Sequence, residues 1–198
     1  MYYGPTIILS TGVKIEGMTK ERMAILLNLP LAAMNAIGTT IAIFIIDGKG
    51  RRFIMLRTLP GQIISLLLVS VCMYFSLYTT DPWQTGGEFA AIGCLIIYIG
   101  FFSIGFSSTP WSVNTEIYPI HLVSTGTAIA TATNWFSNFI VSATFLSILA
   151  TDIGKVIAFI LLACFALGAF IFVFFKVPET NNRPIQVNVD NILKGKIR

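Results

Sequence analysis

Within the apolar stretches of this 198-residue chain, the side chains able to do chemistry are amides, hydroxyls and indoles rather than acids and bases. Asn35, Asn134 and Asn138 each carry two donors and an acceptor, and Trp111 carries a flat apolar face with one N–H. Such a set suits a ligand with hydroxyls on its rim and C–H groups on its faces, as in a sugar or a cyclitol. Bond-breaking chemistry finds no footing. The single histidine, His121, excludes H-x-x-x-H and H-E-x-x-H metal sites. Asp47 and Asp152 belong to different loops, which rules against an aspartyl dyad. The spans contain no ring of charges and no carbonyl filter signature, so an ion channel is disfavoured. No enzyme activity, metal site or cofactor is expected.

Those residues recur in phase. Thr127, Thr131, Asn134, Asn138 and Ser142 follow one another at four, three, four and four, which is one helix face. Gly100, Ser103, Ser107, Trp111 and Asn114 form a second such stripe, and Asn28, Ala32, Asn35 and Thr39 a third. In lipid a polar stripe must face another helix or a wet cavity. For Ser and Thr the plain reading is helix packing, at about 0.6 kcal/mol per contact. The looser series Thr58, Gln62, Ser65, Cys72 and Ser76 fits that reading too. For Asn and Trp a ligand site is the better reading.

The elements carrying these stripes are membrane helices. The chain is 55% hydrophobic and 11% charged, with a mean hydropathy of +0.80, whereas soluble domains carry about 25% charged residues. A net charge of +4, scattered over loops, is too small for nucleic-acid binding. Cys72, Cys94 and Cys164 all lie in apolar runs and read as reduced packing residues. The N-terminus lacks the basic region of a signal peptide. A span needs about 20 apolar residues, and five stretches qualify: Met23–Ile46, Leu59–Tyr78, Phe89–Asn114, Thr125–Leu149 and Val156–Phe175. Residues 1–13 are apolar but too short to cross and read as half a helix; residues 23–176 hold the five spans; 177–198 form a polar tail.

If five helices alternate, the loop 47–57, "EIYPIH" and the tail fall on one face, which then carries nine of the thirteen basic residues. That face is expected to be cytoplasmic. Pro110 removes a backbone N–H and is expected to disturb the third span around 106–110, as a plain kink or as part of a gate. Glu116, where this span leaves the membrane, can pair with Arg51 or Arg52, or remain a solvated loop charge.

Taken together, these residues resemble the sugar porters of the major facilitator superfamily. "DGKGRR" (47–52) resembles the D-x-x-G-R-R/K loop of the superfamily. Pro110, Trp111, Asn114, Glu116, Tyr118 and Pro119, followed by "NWFSNF" (134–139) and "VPET" (177–180), resemble the sugar porters, in the family order. The variant here is most similar to the proton-coupled myo-inositol transporters, and the likeness runs from Tyr2 to about Pro184.

The resemblance implies an all-α integral membrane fold, the C-terminal six-helix half of a twelve-helix carrier: the outer part of helix seven, then helices eight to twelve. It implies that Tyr2 and Tyr3 line an outer gate, and that Asn35, Trp111 and Asn134 face substrate with Phe102 bordering the pocket. Asp47, Gly50, Arg51, Arg52 and Glu116 would form a cytoplasmic charge network. The implied partners are a sugar or polyol, a proton, the bilayer and the other half of the carrier. The implied setting is the plasma membrane, with vacuolar or other endomembranes open. Departures are the absence of Q-Q-x-x-G-x-N before "MYYGP", of the first half with its helix-one acid, and of the arginine expected at position 123, here Val123 with His121 nearby. They keep open a second reading, a truncated paralogue or membrane sensor that retains the fold and does not transport.

Overall fold

The computed structural model describes residues 19–79, 83–181 and 185–193, and these form seven helices. They are α1 (Lys20–Lys49), α2 (Arg51–Tyr78), α3 (Trp83–Phe106), α4 (Thr109–Glu116), α5 (Val123–Leu149), α6 (Asp152–Lys176) and α7 (Ile185–Leu193). Tyr2, Tyr3, the segment 1–13 and the Asp47 side chain lie outside the described part.

Helix α2 is the hub, packed against α3 and α6, while α3 also carries α1. The main core forms where Leu66, Val69 and Met73 of α2 meet Ala91 and Leu95 of α3 and Phe159 and Ala163 of α6. Met23 and Leu31 of α1 close on Ile92 and Ile99 of α3. Helix α5 stands to one side, joined to α6 through Phe145, Leu149 and Ala158 and to α4 near its start. Large apolar side chains point outward from several helices, Phe44 at 80% exposure and Phe139 at 69% among them, as a lipid-facing surface requires.

Among the described residues, four stretches are long and apolar enough to cross a membrane: Ile25–Ile46, Arg51–Tyr78, Trp83–Glu116 and Asp152–Lys176. The fifth expected span, α5, is 27 residues long, enough to cross.

Two boundaries differ from expectation. The second span, expected to start at Leu59 after a loop 47–57, starts earlier: the loop contracts to Gly50 and α2 begins at Arg51. The reason is remote: the carboxylate of Glu179 accepts the first helical N–H, that of Arg51, at 2.9 Å. An acid at a helix N-terminus satisfies an orphan donor and opposes the helix dipole. The third span is divided. α3 stops at Phe106 and α4 starts at Thr109, with Pro110 in its first turn, where a missing N–H costs little. Part of the tail, expected to be a simple extension, folds as the nine-residue α7.

Candidate functional site

Asn35, Phe102, Trp111 and Asn134 border one cavity of about 570 Å³, together with Ser107 and Asn138. The space falls in the range of roughly 300–1,000 Å³ usual for small-molecule sites. Its polar residues are Asn35 of α1, Tyr98 of α3, Ser107 at the α3–α4 break, Trp111 of α4, and Asn134, Asn138 and Ser142 of α5. Leu66 of α2, Phe145 of α5 and Phe159 of α6 supply an apolar floor. No charged residue borders it among the described residues.

The stripes divide by side-chain reach. Thr127 and Thr131 donate to the carbonyls of Val123 and Thr127, at 2.6 and 2.7 Å, and so are satisfied by their own helix. Asn134, Asn138 and Ser142 further along α5 border the cavity. Likewise Thr58 and Ser65 of α2 bond back to Ile54 and Gly61. Ser103 does not reach the cavity edge. It lies behind Asn35, 2.6 Å from its Oδ1. Thr39 Oγ1 sits 3.2 Å from Ser107 Oγ, so α1 makes one polar contact with α3, through Ser103, and one with the α3–α4 break. Asn114 is not among the residues bordering the cavity, and its enclosed Nδ2 has no hydrogen-bond partner among the described residues.

The α1–α2 joint holds a second cluster. Arg51 Nη2 lies 3.2 Å from Glu116 Oε1, and its Nη1 donates to the Ile46 carbonyl at 3.3 Å and to Asn181 Oδ1. Of the two arginines considered for Glu116, Arg51 takes it; Arg52 donates to the Phe174 carbonyl at 2.7 Å. Gly50 adopts φ +90°, which disfavours L side chains, and a Cβ there would lie 2.6 Å from Glu179 Oε2. Glu179 is the residue that sequence reasoning passed over. Besides Arg51 N it accepts from Phe53 N at 3.3 Å and Asn181 N at 3.2 Å. "VPET" was the available signal, but nothing local says which donors that acid meets. His121 does not join this cluster: it borders a smaller hollow of about 250 Å³ with Gln186 and Asp190 of α7. Arg51→Lys keeps the charge but loses the planar fork that spans Glu116, Asn181 and Ile46. We expect a loss of about 1–2 kcal/mol on unfolding, checked by thermal melting in nanodiscs.

The broken span, the uncharged cavity between helices and the ion-paired joint together describe a helical membrane bundle with room for a small molecule between its helices. The profile of the sugar (and other) transporter family matches residues 1–189, and the chain belongs to that family. That is a family of transporters, not of enzymes. Membrane transporter D1 of Leishmania donovani is 32% identical over 99% of this chain and 34% of its own length. Myo-inositol transporter 1 of Saccharomyces cerevisiae is 29% identical over 98% of this chain and 33% of its own length. Facilitated glucose transporter member 3 of Oryctolagus cuniculus is 34% identical over 89% of this chain and 34% of its own. The chain thus spans about a third of the length of these relatives. The proton:xylose symporter XylE has the same fold, with a TM-score of 0.78 at 22% identity over 96% of this chain and 38% of XylE.

Proposed function

We propose that this chain forms one wall of the substrate path of a carrier that moves a sugar or polyol, myo-inositol-like or a hexose, by alternating access coupled to protons. The cavity supports this reading: carboxamides of Asn35, Asn134 and Asn138 stand around the indole of Trp111 in a space without charge. Amides serve hydroxyls, and the aromatic face serves the C–H side of a ring. The uncharged wall leaves proton acceptance to an acid elsewhere in the carrier, as the resemblance to proton-coupled porters implies. The Arg51–Glu116 pair and Glu179 hold the basic end, which we place in the cytoplasm, with the plasma membrane as the setting.

The test is uptake of radiolabelled myo-inositol and glucose by transporter-deficient cells expressing the carrier that contains this chain, with and without a protonophore. Trp111→Ala is expected to weaken half-saturation at least tenfold, about 1.4 kcal/mol of lost stacking. Unchanged uptake and half-saturation in Trp111→Ala would sink the site, and indifference to the protonophore would sink the coupling. The 198-residue chain alone in liposomes is expected to give little flux.

A further inference from the structure

One polar group of the cavity wall is not free to turn. Asn35 borders the cavity from α1, while its Oδ1 accepts from Ser103 Oγ of α3 at 2.6 Å. Ser103 is 0% exposed. Its hydroxyl has one proton and two oxygens within reach, since the Ile99 carbonyl lies at 2.7 Å. That carbonyl already accepts the Ser103 backbone N–H as a rung of α3. Oδ1 has no other donor among the described residues, so the hydroxyl proton belongs to Asn35. The backbone is held as well: Thr39 Oγ1 donates to the Asn35 carbonyl at 2.8 Å. With Oδ1 occupied, Nδ2 is left without a protein partner among the described residues, and it is not sealed in as Asn28 Oδ1 is.

We propose that Ser103 is a positioning residue that sets the polarity of this wall. It holds the Asn35 carboxamide with two N–H bonds turned to the cavity, so the ligand must present an acceptor oxygen there rather than a hydroxyl that donates. The ligand class rests on the reading given under Proposed function; the locked amide does not.

Two measurements separate these. The first is NMR of the full chain, labelled with ¹⁵N-asparagine, in nanodiscs without ligand, the Asn35 side-chain signal being assigned by its loss in Asn35→Gln. A rigid Asn35 amide is expected in the wild type, a mobile one in Ser103→Ala, and partial order in Ser103→Cys, whose thiol is a weaker donor. Mobility in the wild type, or equal order in Ser103→Ala, would overturn the proposal. The second is competition of uptake, in the carrier, by deoxy and deoxyfluoro analogues of myo-inositol and glucose. Fluorine accepts but cannot donate. At one ring position the fluoro analogue should compete about tenfold better than the deoxy analogue, and Ser103→Ala should erase that preference. Equally poor competition by both analogues at every position means the amide faces the other way and overturns the proposal. If no sugar or polyol competes at all, the function fails, and the NMR result alone decides Ser103.

Discussion

Glu179→Ala is expected to lower the stability of the chain by about 3 kcal/mol. One carboxylate accepts from Arg51 N, Phe53 N and Asn181 N, and its removal orphans the first donors of α2. A hydrogen bond to a charged group contributes about 1.5–3 kcal/mol, and a charge at a helix terminus another 0.3–1 kcal/mol or so. For a chain of this size, the melting midpoint should fall by roughly 6–12 °C. Glu179→Gln, which keeps an acceptor without the charge, should recover about half. A midpoint within about a degree of the wild type in Glu179→Ala would mean that the tail does not fasten the α1–α2 joint.

Gly38→Val is expected to cost a similar amount at the other polar seam. A Cβ at Gly38 would lie 2.6 Å from Ser103 Cβ and 3.3 Å from the Gly100 carbonyl, and a valine adds two further methyl groups. Overpacking of this kind costs about 1–3 kcal/mol, and separating α1 from α3 also breaks the Asn35–Ser103 bond, about 1 kcal/mol more. Small residues at such crossings let membrane helices approach closely. The milder Gly38→Ala should be rescued by Ser103→Gly, which opens the facing space; melting of the two singles and the double checks this. A Gly38→Val chain that melts like the wild type would show that the seam is loose.

How much of this could be read beforehand depends on the distance over which each feature is decided. The apolar helices were legible because a bilayer demands about 20 apolar residues in a row, whatever lies beside them. The α5 stripe was legible as a periodicity. Which of its members border the cavity was less so, because Thr127 and Thr131 are satisfied by carbonyls of their own helix while Asn134 and Asn138 are not. The start of α2 was illegible for another reason: its capping acid lies 128 residues away. Ser103 read as packing and not as a partner of Asn35, since 68 residues and a change of helix separate them. The nine residues of α7 leave too short a pattern in a polar tail to stand out.

The interruption at Ser107–Ser108 makes α4 a rod of its own, eight residues long. Trp111 and Glu116 sit five residues apart on it, about 7.5 Å along the axis and some 140° around it. The indole thus looks towards the hollow while the carboxylate grips Arg51 on the far side. A rod with one end in each place ties them geometrically: any tilt that displaced Trp111 would also change the distance between Glu116 and Arg51. The hollow and the basic joint thus share one short support, eight residues long.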